Sequence, residues 1–382
     1  MKKLTLILAA LLSATSIYAQ EPILAAVSQD VTGKVITVKN IPQQGSYTPT
    51  FKSDGKKTKV RNVILLIGDG MGLGAVASAY FANGGELSMT NLHISGFSQT
   101  QSADSFTTDS AASGSAYATG IKTNNESIGT DPNGKPAPNI PEKISGAGFV
   151  SGVISTDDVH GATPSAFFAH QVKRSMSAEI WGDIPASKLS FLSAGNWNVY
   201  KSQKEETREA IENKFKVAYN ADEVSDADDK VLYVAESVKY DDRGNYLPET
   251  TQMAIDFLSK KKGKGFFLMI EGARIDKEAH GNNMEKMILE TLDFDKAIEA
   301  ALRFADKDGH SLVIMTSDDE TGGIALKSGQ PGPRETSAVF TTTSHTPCMV
   351  PLFAYGPHSQ IFTGMQQNSD VSNKIVELLI GK

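Results

Sequence analysis

The strongest constraint on this chain is a set of short, nearly uninterrupted apolar runs at residues 63–67 (VILLI), 149–154 (FVSGVI), 266–270 (FFLMI), 312–315 (LVIM) and 350–354 (VPLFA). A strand apolar on both faces must be covered on both faces. Longer stretches with helical spacing separate these runs, and the alternation predicts an α/β fold: a large, mostly parallel central sheet with helices on both faces, in three layers. In residues 282–304, for example, Met284, Met287, Ile288, Leu292, Ala297, Ile298, Ala301 and Leu302 recur near helical spacing, opposite Glu290, Lys296, Glu299 and Arg303. A chain of 382 residues, 40% hydrophobic and 21% charged, can bury a large core. We place one catalytic domain at residues 60–382, preceded by an extension at 20–59 that wraps it. Residues 175–264 read as an elaboration of that domain, with a helix after Pro248.

The residues just after each run matter as much as the run. Asp69 comes after the first, polar residues 156–163 after the second, Glu271 and Asp276 after the third, and Asp318 with Asp319 after the fourth. In open α/β sheets ligands bind beyond the carboxyl ends of the strands, so these groups converge on one edge. Asp276 and His280 are four residues apart and share a helix face, as two ligands of one metal require. His345, before the last run, returns an imidazole to the same edge. Glu271 ends an apolar strand, where a carboxylate needs a compensating cation. In residues 108–120 (TDSAASGSAYATG) a loop becomes a helix at Asp109 and Ser110, small residues permit close packing and Gly120 can end the helix. A serine there faces the positive end of a helix dipole, where a phosphate settles. Thr163 offers a hydroxyl, and Pro164 suits the first turn of a helix carrying Arg174, whose guanidinium can fork onto two phosphate oxygens. Taken singly, each residue also has an ordinary structural role: cap, solvated turn or surface charge.

The formal net charge of -7 argues against a nucleic-acid-binding surface. Residues 1–19 combine a basic start (Lys2, Lys3), an apolar run and small residues before Ala19, which predicts a secretory signal peptide and an exported, periplasmic or secreted protein with no membrane anchor. Cys348 is the only cysteine, so no intrachain disulfide can form.

Six ordered motifs, IGDGMG, TDSAAS, ATPSAFFAHQVKR, IEGARIDKEAH, TSDDETGG and SHTPCMVP, make the chain resemble the alkaline phosphatase family from about residue 62 to 361. The resemblance implies hydrolysis of phosphate monoesters, with Ser110 as nucleophile, Arg174 as the phosphate-binding arginine and Asp109 orienting it. It implies that Asp276, His280 and His345 hold one zinc, and that Asp69, Asp318 and Asp319 hold a second. Asp69 would be shared with a magnesium site that also uses Thr163 and Glu271, with Lys277 near the substrate. A homodimer is the usual family assembly, and the residues themselves neither support nor oppose it.

Two positions depart from the pattern. The family usually has Asp-His where this chain has Asp318 and Asp319, so the second site becomes all-oxygen and favours a harder ion. The family usually places Asp or His two residues before the motif threonine, where this chain has Gly161; that leaves the magnesium shell to water or to His160. Two other readings stay open: a phosphodiesterase or sulfatase of the same superfamily, and a metal- or phosphate-binding protein weakened as a catalyst by Asp319 and Gly161.

Overall fold

The structure is a computed structural model that describes residues 33–381; the signal-peptide expectation for residues 1–19 lies outside them. Ten strands form the central sheet, in the order Gly364–Gln367, Ile94–Gln99, Val350–Tyr355, Ser311–Thr316, Asn62–Gly68, Phe266–Gly272, Val150–Asp158, Phe191–Gly195, Val231–Ala235 and Lys216–Ala218. From Ser311–Thr316 to Lys216–Ala218 every pairing is parallel. Every residue of Asn62–Gly68, Phe266–Gly272 and Ser311–Thr316 is buried, which explains why these strands read as continuous apolar runs.

Successive side chains of the central strand feed opposite layers. Ile64 and Leu66 join a core built with the long helix Met284–Asp308, the helix Leu73–Ala82 and the helix Tyr246–Ser259. Val63, Leu65 and Ile67 join the opposite core with Ala111 and Tyr117 of the helix Ser110–Thr119 and Val371 and Ile375 of the C-terminal helix Asn368–Ile380. Each such aliphatic side chain contributes about 1.5–3 kcal/mol through burial. Residues 33–59 lie along this body: Ile36–Val38 pairs antiparallel with Glu335–Phe340, and Tyr47 Oη donates to Asp306 Oδ2 at 2.7 Å.

Two expectations are sharpened and one is corrected. The run at 350–354 is a strand, but antiparallel to both neighbours. No helical crossover precedes it: the chain leaves Ser311–Thr316 through the β-excursion Ile324–Gln330 and Glu335–Phe340 and returns head to tail. Residues 175–264 do more than decorate, because Phe191–Gly195, Lys216–Ala218 and Val231–Ala235 extend one side of the sheet. Arg174 is not carried on a helix begun by Pro164; that helix spans only Ala162–Ser165, and Arg174 sits in a later turn whose N–H donates to Glu126 O at 2.6 Å.

Candidate active site

The carboxyl ends of the central strands carry the polar residues, and two glycines allow the close approaches this needs. Gly70, after Asp69, has φ +72°, and a Cβ on it would stand 2.7 Å from the Cα of Asp276. Both the backbone conformation and the space demand glycine, and together they bring Asp69 against the helix Arg274–His280. Gly114 in the helix Ser110–Thr119 would place a Cβ 3.1 Å from Thr163 Cα, so the small-residue stretch does pack closely, against the Thr163 turn.

Ser110 is the first residue of its helix, is buried, and follows Asp109 in extended conformation at the N-cap; Gly120 ends the helix with φ 74°. Asp109 has three contacts: Oδ1 accepts from Ala112 N at 2.9 Å, and Oδ2 accepts from Glu126 N at 3.0 Å and lies 3.3 Å from Arg174 Nη1. The capping role and the arginine contact are therefore both real. The N–H groups of a helix's first turn lack intrahelical acceptors and point towards whatever binds beside Ser110. Arg174 meets Asp109 through one long contact with its side chain 42% exposed, which leaves the rest of the guanidinium free.

Asp276, His280 and His345 converge. His280 Nε2 is 3.2 Å from both Asp276 Oδ1 and His345 Nε2, and His345 Nε2 is 3.5 Å from Asp276 Oδ1. Ligand atoms about 2.0–2.1 Å from a tetrahedral zinc stand about 3.3–3.4 Å apart. The outer nitrogens fix the rings: His280 Nδ1 contacts Thr343 O at 2.6 Å and His345 Nδ1 contacts Thr108 O at 2.8 Å. A carbonyl can only accept, so each Nδ1 carries a proton and each neutral ring turns its Nε2 lone pair inward. Two lone pairs and a carboxylate facing one point need a cation there. Without one, protons substitute: burial opposes charge on His345, but Asp276 and Asp319 push the imidazole up to about 10. The carboxyl of Asp276, resisted by burial, is drawn below its usual range by hydrogen bonds with His280, His345 and Thr321.

Asp69, Asp318 and Asp319 form the second cluster, all buried, with one oxygen from each lying within 4.8 Å of the others. Pairwise repulsion of about 3 kcal/mol or more at an effective dielectric near 20 makes three bare carboxylates untenable there. Burial first, then Asp318, raises the Asp69 and Asp319 carboxyls far above the ordinary range. Asp69 Oδ1 and Asp319 Oδ2 accept no hydrogen bond although buried. Asp319 Oδ2 does lie 3.1 Å from His345 Nδ1; we assign that proton to the shorter contact with Thr108 O. Two orphaned oxygens in an acidic, all-oxygen cradle fit a divalent cation.

Thr163 Oγ1 donates to Asp318 Oδ2 at 3.2 Å, and Ser155 Oγ donates to Glu271 Oε2. Glu271 is pushed up to about 8 by burial first and Asp157 second. Lys277 projects from the helix Arg274–His280 and pairs with Asp157 Oδ1. His160 lies against Trp181, with ring centroids 6.2 Å apart. Sequence reasoning gave no individual role to four participants. Thr321 Oγ1 bridges Asp276 Oδ1 at 2.7 Å and Asp319 Oδ1 at 2.8 Å, and the Thr108 carbonyl ties His345 to the Ser110 loop. Ser155 and Asp157 are the other two. Their signal was present: the strand Val150–Asp158 continues past the apolar run, so both belong to the same sheet end as Glu271.

Fold and site together define the class, a metal-dependent phosphatase. A family model described as alkaline phosphatase matches residues 60–199 and 226–336. Alkaline phosphatase 4 of Bacillus subtilis (strain 168) is 29% identical over 434 aligned positions, covering 88% of this chain and 92% of its own. Alkaline phosphatase of Escherichia coli (strain K12) is 28% identical, covering 86% of this chain and 88% of its own. The structure of alkaline phosphatase from the Antarctic bacterium TAB5 superposes with a TM-score of 0.79 at 33% identity, covering 85% of this chain and 99% of that one. The chain belongs to the alkaline phosphatase family, and its acidic cluster and its histidine cluster each bring together ligand atoms that could hold a metal ion.

Proposed function

We propose that the protein hydrolyses phosphate monoesters to alcohol and inorganic phosphate through a phosphoserine at Ser110. The observation that carries this reading is the facing pair of Nε2 atoms of His280 and His345, 3.2 Å apart with both Nδ1 atoms on backbone carbonyls, joined by Thr108 to the Ser110 loop. Asp276, His280 and His345 would hold one zinc. Asp69, Asp318 and Asp319 would hold a second divalent ion, harder than zinc by preference, because every donor is a carboxylate. Asp69, Thr163 and Glu271 would share a magnesium; a variant of the TAB5 enzyme carrying Glu at its residue 135 has been solved with magnesium in a site termed M3. Bound at these sites, the ions supply Lewis acidity to the serine hydroxyl, the leaving oxygen and the attacking water.

The chain's own groups do the positioning, which is most of what phosphoryl transfer asks of a protein. Ser110 Oγ gives its proton to solvent and attacks phosphorus, the P–O bond to the alcohol breaks, and the departing alkoxide takes a proton from solvent. Water then attacks the phosphoserine, releasing phosphate and restoring the hydroxyl. Arg174 and the first-turn N–H groups hold the non-bridging oxygens in both steps, with Asp109 orienting Arg174 and Lys277 standing by the substrate. A free guanidinium edge suits a phosphoryl group with unesterified oxygens, which favours the monoester over the diester.

Comparison of p-nitrophenyl phosphate, its bis-ester and its sulfate tests the reading, together with Ser110→Ala. We expect the monoester to be strongly preferred, and S110A to lose on the order of 10³-fold or more in kcat while keeping its metal content. Preference for the diester or the sulfate, or an S110A variant with near-normal turnover, overturns the proposal. Export belongs to the same proposal, with residues 1–19 as signal peptide; a mature protein beginning at Gln20 is the expected N-terminal sequence. Among the described residues, no helix is long and apolar enough to cross a membrane.

A further inference from the structure

Gly161 looks like a lost ligand, yet the space beside it is filled. A Cβ built on Gly161 would stand 2.7 Å from Asp157 Oδ2 and 3.0 Å from both Asp157 Cβ and Cγ. The Asp157 carboxylate therefore stands where a side chain at 161 would project. Gly161 immediately precedes the turn Ala162–Ser165 that presents Thr163. Asp157 enters from the other side, near the end of the strand Val150–Asp158, and is tied to the acidic end of the sheet. Its N–H donates to Ser155 Oγ at 2.8 Å, and that hydroxyl donates onward to Glu271 Oε2. Its Oδ1 pairs with Lys277 Nζ from the helix that carries Asp276 and His280.

We infer that Asp157 is an acidic positioning residue for the magnesium beside Glu271 and Thr163, supplying from the strand end the carboxylate that position 161 lacks, and setting Lys277 over the same site. This rests on the reading that Glu271 and Thr163 hold that ion. Magnesium dehydrates reluctantly and keeps several waters, so a carboxylate behind its direct ligands acts by accepting hydrogen bonds from those waters. The half-buried Asp157 can do so through Oδ2 while Oδ1 remains with Lys277. Gly161 is then a condition of the arrangement: any side chain there displaces Asp157.

The test is a magnesium titration of the zinc-loaded protein, read as thermal stabilisation and as bound magnesium by metal analysis. Asp157→Asn keeps the shape and removes the charge, and should raise the magnesium midpoint 10–100-fold, the usual cost of losing an outer carboxylate partner. Asp157→Gly should do the same, and the double variant D157G/G161D should recover most of the loss, because removing Asp157 with its Cβ opens the space for an acidic side chain at 161. A merely structural role for Asp157 would not be rescued from a different backbone position. A D157N midpoint equal to that of the wild type, or a double variant no better than D157G, overturns the inference and leaves the magnesium reading standing. A wild-type protein that neither binds nor responds to magnesium overturns both.

Discussion

Stripping the divalent ions should give the protein a pH dependence set by its buried acidic groups. Glu271 has its carboxyl pushed from the usual 4.5 up to about 8 by burial and by Asp157, and His345 is raised from 6.5 to about 10, where Asp276 and Asp319 outweigh its burial. For both, the folded chain keeps a proton that the unfolded chain has already lost, so stability falls as pH rises from the unfolded value to the folded one. Asp69 and Asp319 are raised and add in the same direction. Asp276 is lowered, so its contribution is complete above its usual value and is flat through this range. Between pH 5.5 and 8, Glu271 titrates across the whole window and His345 across its upper part. At about 1.4 kcal/mol per pH decade these two groups alone account for a loss on the order of 5 kcal/mol. With unfolding entropy of about 2.1 cal/mol/K per residue over roughly 350 residues, Tm should fall by on the order of 7 °C. The assay is calorimetry on chelated protein at the two pH values, repeated with zinc and magnesium restored. Restored ions should abolish the fall, because metal replaces the protons and binds more tightly as pH rises. Chelated protein that is as stable at pH 8 as at 5.5 would refute the reasoning, since it would mean that these carboxyls are not held together as the structure shows.

Two further substitutions test the site. Arg174→Ala removes a charge-assisted contact to phosphate worth about 1.5–3 kcal/mol, so inhibition by inorganic phosphate should weaken roughly 10–150-fold, with partial recovery in Arg174→Lys; unchanged inhibition would remove Arg174 from the phosphate site. Asp319→His replaces one oxygen of the all-carboxylate cradle with an imidazole that suits zinc. Competition against a chelator should show zinc held about tenfold or more tightly, with a smaller advantage for manganese, and an unchanged zinc midpoint would show that Asp319 does not contact the ion.

The central sheet was legible because burial on both faces leaves an unmistakable mark. Runs such as 266–270 have no polar position at all, and the strand Phe266–Gly272 is buried throughout. Two of the outer strands were not legible for the complementary reason. Phe191–Gly195 (FLSAG) and Lys216–Ala218 are short and mix small, polar and apolar residues, so they carry neither a continuous run nor a clean alternation. The antiparallel return of Val350–Tyr355 was hidden because direction is set by the connection before a strand rather than by its own residues. In the site, the Asp276–His280 pair could be read from spacing, since four residues on a helix fix a shared face. The position of Arg174 could not, because Pro164 signals where a helix begins and says nothing of how soon it ends; this one stops at Ser165.

Position 161 shows most clearly what residue-by-residue matching leaves out. Matching compares side chains at equivalent backbone points, and at 161 it finds none, which reads as a weakened magnesium site. The chemistry, however, depends on which atoms occupy a volume, and that volume is reached from two backbone points, one at the turn before Thr163 and one at the end of the strand Val150–Asp158. Because the strand outruns its apolar stretch and bulges between Ile154 and Asp158, Asp157 reaches that volume, with its carboxylate within 2.7 Å of a Cβ at 161. Glycine at 161 and aspartate at 157 therefore form one feature, in which each residue makes sense only given the other. The same test separates the two departures from the family pattern. Asp319 changes the kind of donor offered to an ion and should change which ion is preferred. Gly161 changes only the route by which a donor arrives and should leave that preference as it is.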